Sequence, residues 1–206
     1  MEKLDLTKKH KSYYSAKRTP ELIDVGRVPF ISIRGKGDPS GAPFLERIEA
    51  LYSTAYTLKF DFKARGKDFA VAKLEGFWWF DEEKFRNKTI ETSTDVPRSE
   101  WEYRLAIRLP DFVSKADVSN AAETVLKKKN RLLVTEVEFY ELAEGICVQM
   151  LHVGPYSTEP ETLKEIGKFC GERGLQKNGL HHEIYLSDFR KTAPEKLKTI
   201  LREPVK

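Results

Sequence analysis

The chain repeats itself, and that repeat is the strongest limit on what it can fold into. In the first half, Phe30-Ile31-Ser32-Ile33 leads through the turn-rich Gly35-Lys36-Gly37-Asp38-Pro39 to Ala42-Pro43, where a helical pattern begins. In the second half, Cys147-Val148-Gln149-Met150 leads through Gly154-Pro155-Tyr156-Ser157-Thr158 to Glu159-Pro160, which opens another helix. Further on, Leu74-Glu75-Gly76 aligns with His182-Glu183-Ile184, and Ala106-Ile107-Arg108-Leu109-Pro110 with Ile200-Leu201-Arg202-Glu203-Pro204. Identity between the halves is low, but both run strand, loop, helix with proline in its first turn, strand, strand. Proline is well placed there, because its missing N–H would have no helical partner anyway. The expected fold is α+β: an arm over residues 1–20, then a single domain over 21–206 made of two pseudo-symmetric β-α-β-β modules, about 21–113 and 114–206. Their antiparallel sheets are expected to flank a ligand cleft, since module interfaces favour such clefts.

Periodicity fills in the elements. A first strand is expected from Ile23 to Arg34, and a helix from near Ala42 with Leu45, Ile48, Leu51, Tyr52 and Ala55 on its core face. Lys67 to Asp81 reads as one long strand and Trp101 to Pro110 as another. Residues 114–129 form a connecting helix, with Val118, Ala121, Ala122, Val125 and Leu126 as its stripe. Val134–Leu142 and Gly145–Val153 are expected to pair as a hairpin about Ala143-Glu144-Gly145. A helix follows from about Glu159 to Arg173, with Leu163, Ile166 and Phe169 inward, and Leu197–Val205 is a last strand. The arm is polar and basic, without sustained periodicity beyond a helical turn near Tyr13-Tyr14.

Composition excludes several classes. With 40% hydrophobic and 33% charged residues the chain has the profile of an ordinary globular protein, and it holds no run of apolar residues long enough to span a bilayer. The Met1–Leu6 start lacks a signal-peptide core, so a cytoplasmic location is expected. Cys147 and Cys170 have no Cys-x-x-Cys spacing and no paired His, which argues for reduced cysteines rather than a disulfide framework or a nucleophile. A net charge of +4 is mild, and the runs Lys8-Lys9-His10-Lys11 and Lys127-Lys128-Lys129 are not interleaved with aromatics. They read as solvated surface, and no direct nucleic-acid binding is expected. Gly35 and Gly37 belong to no phosphate-binding motif.

The chemistry concentrates in His181-His182-Glu183-Ile184-Tyr185-Leu186-Ser187-Asp188. Alternation sends Ile184 and Leu186 to one face of a strand and Glu183 and Tyr185 to the other. Glutamate is disfavoured within strands, and burying one without a partner is costly, so Glu183 is expected to be the polar centre of an aromatic pocket. The repeat gives it a partner in Glu75, which shares a face with Phe77 and Trp79, while Leu74, Trp78 and Phe80 lie opposite as core. His181 and His182 are adjacent on a strand and point apart, so they cannot chelate together, and no metal or cofactor is expected.

On these segments, together with Trp101-Glu102-Tyr103, Leu109-Pro110-Asp111-Phe112-Val113 and Glu144 through Tyr156, the chain resembles the GyrI-like small-molecule-binding family. That family is built on a duplicated SHS2 module and is related to effector domains of multidrug-sensing regulators. Ser40 departs from the Asn expected in this subgroup. The arm before Ile23 is too short for the regulators' DNA-binding region, which suggests the stand-alone form. The resemblance implies binding of bulky, often cationic aromatic compounds around a glutamate, or hydrolysis of cyclopropanoid DNA-alkylating toxins of the yatakemycin and CC-1065 type. It also implies, for some members, an effect on DNA gyrase, although nothing else in the sequence points to a protein partner.

Opening a strained ring needs a base for water and a donor for the oxygen that becomes a phenol. Glu183, with its pKa raised by desolvation, is the expected base, and Tyr185 or Tyr140 the donor. Trp79, Trp101 and Tyr103 are expected to stack on the ligand with Phe77, and Glu75 and Glu102 are further carboxylates for a cationic guest. His152, just before Gly154-Pro155, reads as a turn residue or as a ligand contact, and Glu82-Glu83 as loop surface.

Overall fold

A computed structural model describes residues 3–86 and 88–206. Six strands carry the fold: β1 (Glu21–Lys36), β2 (Leu74–Trp79), β3 (Glu102–Arg108), β4 (Glu138–Val153), β5 (His181–Tyr185) and β6 (Lys198–Pro204). With them go the helices α1 (Leu6–Lys9), α2 (Ala42–Ala64), α3 (Lys115–Lys129) and α4 (Glu159–Glu172). The strands are antiparallel and close into one barrel in the order β1-β3-β2-β5-β6-β4. That order reads the same from either end when β1, β2, β3 are exchanged for β4, β5, β6. The α+β class, the two prolines in the first turns of α2 and α4, and the strand–helix–strand–strand sequence follow the expectation.

Ring contacts tell the inside of the barrel from the outside. Phe77 on β2 meets Tyr140 on β4 at 6.2 Å and Phe30 on β1 at 5.7 Å, although neither strand is its neighbour. That face is therefore the interior. The other face meets helices: Phe44 of α2 lies 5.9 Å from Trp78 and 4.9 Å from Tyr103. Helix α2 buries Phe44, Ile48, Leu51, Ala55, Leu58 and Phe62, whereas Leu45 is exposed and Tyr52 only half-buried, one position off the expected stripe. Full burial of each large side chain stabilises by roughly 1.5–3 kcal/mol.

Three expectations are corrected. No hairpin turns at Ala143-Glu144-Gly145: β4 runs through, pairing with β1 from Glu21↔Gln149 to Ser32↔Glu138. Gly145, with φ at 71°, absorbs the bend that a turn would otherwise explain. The strand expected from Lys67 to Asp81 is only Leu74–Trp79 long, and Phe69 makes an isolated bridge to Leu4 instead. Residues 1–20 are not a loose arm where they are described. Leu6, Tyr13 and Tyr14 are buried, and Lys17 accepts a backbone hydrogen bond from Leu151 at 2.7 Å. No periodicity announced this, because the buried residues sit in one short helix and a run of turns.

Tyr13 reaches a buried polar network. Its hydroxyl donates to Glu75 at 2.5 Å; the same carboxylate takes His182 Nε2 at 2.9 Å, and His182 Nδ1 bonds Glu144 at 3.0 Å. Arg202 adds Glu144, two bonds to Gln149 and the carbonyl of Tyr13. Burial pushes the Glu144 carboxyl up, but the His182 and Arg202 charges outweigh it and hold the group below its usual range. Removing one member of such a set strands the others. Arg202→Met is expected to lower the unfolding free energy by about 3–5 kcal/mol, read as a lower denaturant midpoint at unchanged slope.

Candidate functional site

The pairing of β2 with β5 decides which residues meet. Gly76 lies opposite Glu183, and Glu75 opposite Ile184. Residues opposite one another share a face, so Glu183 goes with Gly76, Trp78, His181 and Tyr185 on the helix side. Glu75 goes with Phe77 and His182 to the interior. The two glutamates are therefore not equivalent positions. Glu75 pairs with Ala106 and Ile184 with Ile200, so once Ala106 and Ile200 are matched, the counterpart of Glu75 is Ile184. The expected alignment was one residue off, and in a strand one residue changes the face.

Glu183 has a side chain only 12% exposed. His181 Nε2 lies 3.2 Å from its carboxylate, and His181 Nδ1 binds Glu203 across the strand pair. Burial alone would depress the His181 pKa, but the Glu203 charge and the hydrogen bonds to Glu183 and Glu203 push it up to about 10. The Tyr185 hydroxyl accepts from Trp78 Nε1 at 3.0 Å and lies beside the Glu183 carboxylate. Burial, then the Glu183 charge, drives the Tyr185 pKa far above the ordinary phenol value. Gly76 makes this packing possible: a Cβ there would stand 2.7 Å from Trp78 Nε1 and 2.8 Å from the Tyr185 hydroxyl.

Around this centre runs an aromatic wall. Trp78 meets Tyr103 at 5.3 Å and Trp101 at 6.1 Å, Trp101 meets Phe80 at 5.4 Å, and Tyr156 stands edge-on to Tyr185 at 6.0 Å. Glu159, the first residue of α4, is 7% exposed, and Thr199, directly opposite Tyr185, hydrogen-bonds its carboxyl. Burial, then the charge of Glu183, drives the Glu159 pKa well above the carboxylate range.

Of the residues named from sequence, Glu183 and Tyr185 lie together, and Trp101 and Tyr103 lie against Trp78 on the same side, Tyr103 buried under Phe44. Tyr140 does not: it lies inside the barrel with Phe30 and Phe77, its ring under the Arg104 guanidinium, beyond the sheet from Glu183. Glu75 and Phe77 are likewise interior and fully committed, Phe77 stacking on His182 at 4.1 Å. Trp79 shares their parity, and Glu102 lies opposite it. His152 faces the helix side but is held by Thr162 at 2.9 Å and by Thr158 and the Pro155 carbonyl, in a separate concavity of about 380 Å³ that contains neither Glu183 nor Tyr185. Trp78, Tyr156, Glu159, His181 and Glu203 were not named as site residues. Trp78 was expected to be core and is, buried under Phe44, and only the register of β2 against β3 and β5 shows that its Nε1 also meets Tyr185. A glutamate opening a helix ordinarily reads as a complement to the helix dipole, so Glu159 carried no separate signal.

The chain belongs to the family of GyrI-like small molecule binding domains, whose model matches residues 18–206. A structure of a protein from Listeria innocua described as a hydrolase is 39% identical to it, over 99% of this chain and 100% of that one, with a TM-score of 0.85. Another Listeria innocua structure, described as an uncharacterized conserved protein, has the same identity and coverage and a TM-score of 0.88. The C-terminal domain of EcmrR is 10% identical over 91% of this chain and 97% of that one, with a TM-score of 0.58, and shares the fold alone. No curated protein sequence matches significantly. Among the described residues no helix is long and apolar enough to cross a membrane.

His181 gives the site a pH signature. Its raised pKa stabilises the fold fully below the ordinary value of 6.5, and that contribution is lost as pH rises through about 10. The difference in unfolding free energy between the wild type and His181→Gln is expected to shrink steadily over this window, measured by denaturant unfolding at a series of pH values.

Proposed function

We propose that this chain is a hydrolase of strained, flat electrophiles, specifically cyclopropanoid DNA-alkylating compounds of the yatakemycin and CC-1065 type. On this reading the two β-α-β-β halves are copies of one module, and the ligand lies where they meet, on the helix side of β2 and β5. One observation carries it: a mostly buried carboxylate, Glu183, beside His181 and Tyr185, with an aromatic run from Trp78 on the Tyr185 hydroxyl to Trp101 and Tyr103. The family is one of small-molecule binders, and a chain 39% identical over its full length is described as a hydrolase, which favours an enzyme.

Glu183 takes a proton from the attacking water. His181 and Tyr185 flank its carboxylate, and the partly open Trp101 indole and the exposed Tyr156 ring offer stacking area for a planar ligand. The cyclopropane supplies its own strain, so general-base assistance of about 10²–10⁴-fold is a sufficient contribution from the protein.

A non-catalytic binder of aromatic cations is the second reading, favoured by the same carboxylate among aromatic faces. Turnover separates the two. Glu183→Gln is expected to reduce hydrolysis of a model spirocyclopropyl-dienone by about 10²-fold or more while retaining the fold. Unchanged turnover in that variant would remove Glu183 from the chemistry. Binding of a planar cationic dye by the wild type, without any turnover of the dienone, would leave the binder.

A further inference from the structure

Ring opening needs a proton donor as well as a base, and the tyrosines nearest to hand do not supply one. Burial and then the neighbouring Glu183 charge make Tyr185 a poor acid there. Tyr140 lies on the other side of the sheet. A different group stands over the same strand pair. Glu159 sits at the start of α4, one turn after Tyr156, whose ring touches Tyr185. Thr199 hydrogen-bonds its carboxyl group, while Oε1 is buried and has no hydrogen-bond partner among the described residues. A buried polar atom left unpaired costs free energy, so it calls for a reason.

We propose that Glu159 is the acid of this site, a carboxylic acid whose Oε1–H is kept for the ligand oxygen that gains electrons. This rests on the hydrolase reading above and adds a second catalytic residue to it. Water attacks the cyclopropane carbon, forming an O–C bond as the ring C–C bond breaks. The electron pair runs through the dienone to its carbonyl oxygen, which takes the Glu159 proton and becomes a phenol. Glu183 takes the proton of the water. Net addition of one water leaves Glu159 ionised and Glu183 protonated, and exchange with solvent at the partly exposed Glu183 resets both.

The surroundings fit that division. Glu159 is faced by Glu183, His181 and Tyr185 from β5, by Thr199 from β6, and by Tyr156 from the turn before its own helix. His181 carries positive charge at neutral pH but is shared between Glu203 and Glu183, so its hydrogen bonds serve those two carboxylates. Burial and the nearby Glu183 both favour the protonated form of Glu159. Two carboxyls in one site, one desolvated and one partly open to water, are the arrangement from which acid and base roles follow.

The test is the pH profile of kcat/KM on a spirocyclopropyl-dienone for the wild type, Glu159→Gln, Glu159→Asp and Glu183→Gln, with an infrared spectrum of each. The wild type is expected to show a bell, with an alkaline limb that reports loss of the Glu159 proton. Glu159→Gln should lose that limb and about 10²-fold in rate. It should also lose the carbonyl band of a protonated carboxylic acid at neutral pH. Glu159→Asp should keep the limb at a reduced rate, which a purely structural role would not produce. An unchanged alkaline limb in Glu159→Gln, or a carboxylic acid band that survives in it, overturns the assignment. If Glu183→Gln is inactive while Glu159→Gln behaves as wild type, only the acid role falls. If the wild type itself does not turn over the dienone, the hydrolase reading falls, and the acid role with it.

Discussion

The antiparallel contact between β2 and β5 is the constraint on which the rest depends. It joins the two halves of the barrel, and its register puts Gly76 opposite Glu183 and Phe77 opposite His182. Because side chains alternate, that single offset sorts the polar residues into two sets separated by the thickness of the sheet. Glu75 and His182 go inside; Glu183, Tyr185 and His181 go outside, under the helices. A glycine at position 76 lets Trp78 and Tyr185 close over the junction.

The two sets serve different ends. Inside, each carboxyl, imidazole and guanidinium of the Glu75, His182, Glu144 and Arg202 network has a partner, and Tyr13 ties residues near the N-terminus to it. Buried charges of this kind are tolerated because they are paired, and they specify one arrangement more than they add net stability. Outside, pairing is incomplete. Glu183 is held yet partly open, and Glu159 keeps an oxygen in reserve.

The barrel wall provides a rigid platform, α2 and α4 lie on the same outer face as the candidate carboxylates, and the aromatic wall lowers the local dielectric so that charge effects count for more. A histidine bridging two glutamates keeps one of them aimed at the aromatic wall.

Much of the fold was legible along the chain. Turn residues, proline at the start of two helices and period-two alternation dictated the order of elements, and alternation put Glu183 and Tyr185 on one face of their strand. Those are local properties of the backbone, written in neighbouring residues. Register is not local. Whether Glu75 or Leu74 answers to Glu183, whether Trp78 or Trp79 shares its face, and whether Tyr140 does, all turn on a one-residue offset between strands distant in sequence. Closure of the six strands into a barrel settled each of these, and it also brought Tyr13 to Glu75, a contact no periodicity encodes. The faces of each strand were written in its residues; which side of the barrel wall each face takes was decided by how the strands pair.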